Sequence, residues 1–292
     1  MTKIAVFASY DKDGIIHDYV LEYCKYLKEV VDKIIFIADN HADKKEQNKL
    51  KELVDYAEFC PHGEYDFGSY KRGYHYAKIN GWLDKTNELI FCNDSCFCIS
   101  SLIPIFETMN KRTCDFWGMT KSHEIQDHLQ SFFLVFKQNV FNSKSFIDHI
   151  NSVTHKNNFM DIVKCYEIPF THKLNKAAFV DSEYIQFNNN SNPTFYPYKS
   201  YKNGMPLIKK KIFFAEEHLK EPLYLIGLLL LKNKTFRSQV KKCFSTNPFI
   251  ILGTLYKKTI LNFFYQKKII KSKKLVIKIC KIPIYSKRSK KN

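Results

Sequence analysis

Short apolar runs alternate with amphipathic stretches along the first hundred residues. Two of the intervening stretches, residues 15–31 and 43–56, have the spacing of amphipathic helices. The apolar runs have the length of buried strands and are found at residues 3–9, 33–38, 57–60 and 88–92. Strands that alternate with helices favour a parallel sheet covered by helices, so we expect an α/β fold with a central, mostly parallel sheet.

The alternation continues beyond residue 100. Further strand-like and helix-like segments are predicted at residues 116–119, 131–136, 143–150 and 159–166. An asparagine-rich tract at residues 188–193 then interrupts the pattern. We therefore predict one main domain over residues 1–205 and a separate, helix-containing region over residues 206–292.

The formal net charge of +17 is concentrated in that second region. Residues 201–292 hold 23 of the 46 Lys and Arg residues but only 3 of the 29 Asp and Glu residues, which leaves −3 on the first 200 residues and +20 on the rest. Lysines interleaved with Ile, Leu, Phe and Tyr, as at residues 255–271, are typical of helices that lie on anionic membranes. We predict that residues 206–292 are a basic amphipathic membrane-associating region. A solvated helical appendage is the alternative.

Other features bear on location and partners. The nine cysteines are scattered and odd in number, which is typical of reduced thiols in the cytoplasm. The longest apolar run, residues 223–231, falls well short of the roughly 20 residues that span a bilayer. We expect a cytoplasmic protein, peripheral to the inner face of the cell membrane, with the anionic membrane surface as a partner. No pattern typical of a nucleic-acid-binding module is present, so nucleic acid is not an expected partner.

A polar segment with two glycines, residues 64–73, is predicted as a loop between a strand and the next helix. Free backbone N–H groups and the helix dipole favour an anion at such a junction. Gly68 would let the backbone approach a ligand, and Ser69 and Lys71 lie in the same segment, where Lys71 could meet a phosphate. Asp66 either contacts the ligand or caps the helix.

A second polar segment, Asn93-Asp94-Ser95, directly follows the apolar run at residues 88–92. Ligands bind beyond the carboxyl ends of the strands in parallel α/β sheets. A carboxylate at that position can hold a divalent cation, which would neutralise a diphosphate leaving group. The alternative is that Asp94 caps the helix predicted after Ser100.

Five ordered segments resemble the rhamnan synthesis protein F family, whose bacterial members assemble cell-wall and O-antigen polysaccharides. They lie within residues 2–185, at residues 64–73, 89–95, 115–122, 128–136 and 166–171. The layout also resembles nucleotide-sugar transferases of the GT-A type. This resemblance implies a single Rossmann-type α/β catalytic domain, with the basic region attached after it.

The resemblance implies a glycosyltransferase that moves a sugar, typically rhamnose from a dTDP donor, onto a lipid-linked glycan. A UDP-sugar is the other expected donor. Asn93-Asp94-Ser95 would take the place of the acidic metal-binding triplet, with Asp94 as the ligand of Mg²⁺ or Mn²⁺. Asp66, Gly68 and Gly73 would lie along the nucleotide and its diphosphate.

The resemblance also implies that Glu167 is the general base on the acceptor hydroxyl. Partial burial would raise the pKa of such a carboxylate toward neutrality and suit it to that task. Glu167 could instead cap the helix that follows it. His128 and Gln130 would contact sugar hydroxyls of the donor or acceptor, and a structural role for His128 is the alternative.

The leading hypothesis is therefore a glycosyltransferase of lipopolysaccharide or other cell-surface polysaccharide synthesis. Two alternatives stay open. One is a transferase of another group that modifies polysaccharides, and the other is a non-enzymatic protein that binds an anionic surface or nucleic acid through its basic region.

Overall fold

The computed structural model describes residues 2–187, 191–214, 219–246, 248, 250–254, 277–279 and 282–284. The strands of the first compact unit are β1 (Thr2–Ser9), β2 (Lys33–Ala38), β3 (Tyr56–Phe59), β4 (Thr86–Asn93), β5 (Cys96–Cys98), β6 (Phe116–Ser122), β7 (His128–Leu129), β8 (Phe133–Lys137), β9 (Asp181–Ile185) and β10 (Leu207–Lys209). Eight of them form the central sheet in the order β3-β2-β1-β4-β8-β6-β7, with β9 paired to β6.

Helices connect and cover these strands. They are α1 (Asp18–Lys28), α2 (Lys44–Asn48), α3 (Tyr65–Ile79), α4 (Ile103–Met109), α5 (Gln138–Phe141), α6 (Lys144–Asn151), α7 (Phe159–Ile162), α8 (Ile168–Lys176), α9 (Pro197–Lys202), α10 (Leu223–Lys232) and α11 (Lys234–Phe244). Alternate β1 side chains point to opposite faces of the sheet. Val6 lies in the core that α3, α6 and α8 share, whereas the Phe7 ring packs edge-on against Tyr23 of α1.

The carboxyl ends of four parallel strands meet at one edge of the sheet. In the register of these strands, Ser9 pairs with Ala38, Ala38 with Phe59, and Ala8 with Asn93. Beyond β4 the sheet becomes mixed, because β8 runs antiparallel to both β4 and β6. The structure therefore confirms the predicted α/β class with a central, mostly parallel sheet.

The segment predicted as a polar loop, residues 64–73, is almost entirely helix. It forms the first part of α3, which begins at Tyr65 with a positive φ of 55°. Phe67, Tyr70 and Tyr74 recur at helical spacing and are buried against the sheet, so apolar burial sets the conformation of the segment.

The main domain extends beyond its predicted end at residue 205. Its compact unit runs from Met1 to Leu252. β10 pairs antiparallel with β5, and the Gln239 side chain of α11 donates a 2.6 Å hydrogen bond to the Cys98 carbonyl. The apolar faces of α10 and α11 are buried in this unit, which is why the domain continues into the basic region.

A second unit spans Gly253–Asn292. Its described strands, β11 (Ile277–Ile279) and β12 (Ile282–Ile284), pair antiparallel. Residues 255–271, which carry the predicted membrane-binding pattern, lie outside the described residues. Within the described part of the chain, no helix has the length and apolar character needed to cross a membrane.

Gly73 sets how closely α3 approaches β1. A Cβ atom at this position would lie 2.3 Å from Val6 Cγ1, so we expect Gly73→Ala to destabilise the fold by about 1–3 kcal/mol, as overpacking does. The matched control is Gly227→Ala in α10, where the nearest atom would be 3.9 Å away. That change should be neutral or stabilise by up to about 1 kcal/mol through helix propensity. Urea unfolding measures both, and equal effects would contradict the close-packing role of Gly73.

Candidate active site

The carboxylate of Asp94 joins the ends of β1 and β4. Its Oδ2 accepts hydrogen bonds from the Ser9 hydroxyl, at 2.9 Å, and from the Tyr10 backbone N–H, at 3.1 Å. Asp94 therefore does not cap the next helix, α4, whose N-cap residue is Leu102. No described residue donates a hydrogen bond to Asp94 Oδ1, and Asp94 is not among the residues that line the cavity described below.

The two residues beside Asp94 are also fixed by side-chain hydrogen bonds. Asn93 Nδ2 donates to Asp66 Oδ2 at 2.6 Å, which links the end of β4 to the first turn of α3. Asn93 Oδ1 accepts from the backbone N–H of Ser95 at 3.1 Å and from its hydroxyl at 2.5 Å. Burial, together with the nearby charge of Asp94, raises the pKa of Asp66 to about 7.

Glu167 lies in a π-helical turn, Val163–Glu167, immediately before α8. Its Oε2 accepts a hydrogen bond from the Ser131 hydroxyl, and its Oε1 lies 3.2 Å from His128 Nε2. His128 Nδ1 donates to the Gln126 carbonyl at 2.7 Å. Glu167 occupies the N-cap position of α8, but its carboxylate makes no capping hydrogen bond there and is engaged by His128 and Ser131 instead.

The pKa of Glu167 is shifted in the direction opposite to the one expected from the sequence. Burial raises it, but the hydrogen bonds from His128 and Ser131 outweigh burial and hold the pKa below its usual range. For His128, burial lowers the pKa, and the hydrogen bonds to Glu167 and Gln126 outweigh it and raise the pKa. Both shifts favour an ionised Glu167 carboxylate hydrogen-bonded to a protonated His128 ring.

A cavity of about 590 Å³ lies beside these groups. Four residues of the predicted site line it: Ser95, His128, Gln130 and Glu167. Gln130 is fixed by its Oε1, which accepts a 2.8 Å hydrogen bond from the Thr120 hydroxyl. The structure thus brings together side chains from the turn between β4 and β5, from β7 and the residue after it, and from the π-helical turn before α8, although they are distant in sequence.

Four other residues of the predicted site lie in α3 and make structural contacts there. Gly73 packs on Val6, and a Cβ atom at Gly68 would meet Glu64 at 2.3 Å, so both glycines serve close packing. The remaining two are engaged through polar atoms: the Ser69 hydroxyl lies 3.0 Å from His62 Nε2, and Lys71 Nζ donates to the Val153 carbonyl at 2.7 Å. None of the four lines the cavity.

Four cavity residues, Phe214 and three consecutive lysines, come from the region that the sequence predicts as a separate tail. Lys209, Lys210 and Lys211, here called the lysine cluster, follow the apolar pair Leu207-Ile208. The pairing of β10 with β5 sets Lys209 opposite Cys96, next to Ser95. The only sign of these residues in the sequence was a run of lysines, and nothing local distinguishes it from other basic runs.

The described residues do not form a donor set for the divalent cation expected at Asp94. Mg²⁺ and Mn²⁺ are held by several oxygen ligands. Asp94 offers one carboxylate oxygen that lacks a donor, and no group of three or more His, Cys, Asp or Glu side chains in the described part of the chain is arranged to bind a metal. The positive charge of Lys209 acts on Asp66 and Glu167 in the same neighbourhood.

The raised pKa of Asp66 predicts a pH-dependent stability difference. The unfolded carboxyl has a pKa near 3.8 and the folded one about 7, so its contribution to stability is lost as the pH rises between these values. The free energy of unfolding of Asp66→Asn minus that of the wild type should be more than about 1 kcal/mol larger at pH 8 than at pH 5, because asparagine does not ionise. Urea unfolding at the two pH values measures this difference. Asp84→Asn, at an exposed position, is the control. If the stability difference between Asp66→Asn and the wild type is the same at both pH values, the pKa of Asp66 is not raised.

Comparisons with known proteins give distant relatives. Virulence protein VirA from Vibrio anguillarum (strain ATCC 68554 / 775) is 26% identical over 134 residues, which are 46% of this chain and 42% of that protein. The chain thus aligns with less than half of that relative's length. A 4-diphosphocytidyl-2C-methyl-D-erythritol synthase aligns over 69% of this chain and 96% of its own, with TM-score 0.43 and 11% identity. A cytidylyltransferase from Leptospira borgpetersenii serovar Hardjo-bovis (strain JB197) aligns over 78% and 94%, with TM-score 0.42 and 11% identity.

These two structural likenesses are too distant to bear on activity, but a family match covers most of the chain. The sequence profile of the family described as rhamnan synthesis protein F matches residues 34–274. The matched stretch contains Asp66, Asp94, Glu167 and the lysine cluster. The chain belongs to the rhamnan synthesis protein F family.

Proposed function

We propose that the protein is a glycosyltransferase of polysaccharide synthesis that moves a sugar from a nucleotide-sugar donor to an acceptor hydroxyl. The observation that carries the proposal is the placement of Glu167. Its ionised carboxylate is oriented by His128 and Ser131, and it faces the same cavity as the lysine cluster. One side of the cavity can accept a proton, and the other can bind an anion.

These are the two tasks of glycosyl transfer. The bond between the anomeric carbon and the donor phosphate breaks, and its electron pair leaves with the nucleoside diphosphate. The acceptor oxygen forms the new bond to the anomeric carbon, and its proton passes to Glu167. Because the transition state resembles an oxocarbenium ion, positive charge near the departing diphosphate and a base near the acceptor both lower the barrier. A dTDP- or UDP-sugar is the proposed donor, with rhamnose as the first sugar to test.

Exposed apolar residues that line the cavity favour an acceptor that has an apolar part. Four of the residues that line the cavity are exposed apolar side chains: Ile125 (62% exposed), Phe159 (55%), Met160 (48%) and Phe214 (68%). Contiguous exposed apolar patches on soluble proteins often mark interaction surfaces or ligand-binding grooves. A lipid-linked glycan, which joins sugar rings to a hydrocarbon chain, fits this combination and is the proposed acceptor.

We further propose that the enzyme works at the cytoplasmic face of the cell membrane, held there by the basic C-terminal region. The support for this step is the sequence pattern of residues 255–271, in which lysines alternate with large apolar side chains. An enzyme with a lipid-linked acceptor gains from such a location because its substrate is confined to the same surface.

Glu167→Gln should lower the transfer rate by about 10²–10⁴-fold, because the amide cannot accept the acceptor proton. Donor binding should stay within about threefold of the wild type, since the change keeps the size of the side chain. Sugar transfer and nucleotide affinity are measured separately, by product analysis and by calorimetry.

Glu124→Gln is the matched comparison, because Glu124 is a second carboxylate that lines the cavity. If Glu167→Gln retains full activity, Glu167 is not the base. If Glu124→Gln shows the larger loss, the role of base passes to Glu124.

A thermal-shift screen of nucleotide sugars tests the donor. A ligand present at one hundred times its Kd stabilises the folded state by about 2.7 kcal/mol, which is a readily measured shift in Tm. We expect dTDP- or UDP-sugars to stabilise the protein more than the corresponding nucleosides do. No response to any nucleotide sugar would contradict the proposed function.

A further inference from the structure

We propose that the lysine cluster binds the diphosphate of the donor and supplies there the positive charge that the sequence pattern had led us to expect from a divalent cation. The inference rests on the proposed function, because it assigns a role to residues of the same cavity. It adds a binding subsite built by the C-terminal part of the compact unit, which lies outside the predicted main domain.

The backbone directs three consecutive lysines to one cavity. β10 ends at Lys209, and a 3-10 helix begins at Lys210, so the chain turns at this point. The Lys210 backbone N–H donates to the Ser95 carbonyl at 2.9 Å, which holds the turn against the residue that follows Asp94. In a continued strand, neighbouring side chains would point to opposite faces, whereas here all three residues line the cavity.

Aromatic rings and hydroxyl groups hold two of the ammonium groups in place. Lys209 Nζ lies 4.0 Å from the centre of the Phe132 ring and donates to the Ser95 hydroxyl at 2.8 Å. Lys210 Nζ lies 4.5 Å from the centre of the Tyr19 ring and donates to its hydroxyl. An ammonium group has three donors, so each retains donors for a ligand oxygen.

The ammonium groups of the cluster are not neutralised by direct ion pairs among the described residues. Of the residues that the structure describes, Glu124 and Glu167 are the acidic ones that line the cavity, and the Glu167 carboxylate is engaged by His128 and Ser131. Burial and the neighbouring charge of Lys209 lower the pKa of Lys211, against the opposing effect of Glu124 and Glu167, so an anion in the cavity would favour its charged form.

A diphosphate has the charge and the size that this arrangement requires. Its adjacent phosphate groups carry several negative charges on oxygens that can be shared among neighbouring ammonium groups. Glu124 and Glu167 line the same cavity and would repel it, so the lysines must outweigh both carboxylates. As the glycosidic phosphate bond breaks, the leaving diphosphate gains negative charge, and the same lysines stabilise it.

The test is calorimetric binding of dTDP, UDP and inorganic pyrophosphate, each in EDTA and again with added Mg²⁺ or Mn²⁺. The variants are Lys209→Gln and Lys211→Gln, and the control is Lys241→Gln, which removes an equal charge from an exposed position in α11. We expect the wild type to bind in EDTA. Each cluster variant should weaken binding about tenfold or more, as the loss of a charged hydrogen bond does, whereas the control should change it less than twofold.

The outcomes separate this inference from the proposed function. If the wild type binds diphosphates only with added metal, or if the cluster variants bind as tightly as the control, the lysine assignment is wrong, although a glycosyltransferase remains possible. If the wild type binds none of the three ligands under any condition, the proposed donor class also fails. Tm values of the variants within about 2 °C of the wild type confirm that a loss of affinity is not a loss of folding.

Discussion

The hydrogen bonds from Ser9 and Tyr10 to the Asp94 carboxylate are the contacts on which the candidate site depends. They join the ends of two central parallel strands, and the neighbours of Asp94 take their positions from that junction. Asn93 reaches Asp66 in α3, while Ser95 meets the lysine cluster. A single strand end therefore connects the helix on one side of the site with the C-terminal segment on the other.

The two partly buried carboxylates Asp66 and Glu167 differ because they have different donors. Asp66 receives a hydrogen bond from an amide and lies near the negative charge of Asp94, so its pKa rises. Glu167 is hydrogen-bonded to the Ser131 hydroxyl and the His128 ring, so its pKa falls in spite of burial. Environment thus makes one carboxyl partly neutral and keeps the other ionised, a division of the kind that acid–base chemistry uses.

The strand pattern of the first hundred residues predicted the parallel half of the sheet well, and β2 has the predicted bounds. The helix predicted over residues 43–56 was too long, because α2 ends at Asn48 and the chain turns to bury Leu50 before β3. The segment at residues 64–73 looked like a loop because of its glycines. Its aromatic spacing was the better guide, since burial against the sheet outweighs the propensity of glycine.

The sequence by itself determined the α/β class, the positions of the strand ends and the resemblance to the family. Apolar periodicity and ordered motifs are local properties of the chain, so they can be identified without its neighbours. Only the tertiary structure decided which polar groups meet. The bonds of Glu167 to His128 and Ser131, and of Lys209 to Ser95, join residues 39, 36 and 114 positions apart. Such contacts depend on strand order and on the pairing of β10 with β5, which no local pattern specifies, and the same contacts set the charge state of the site.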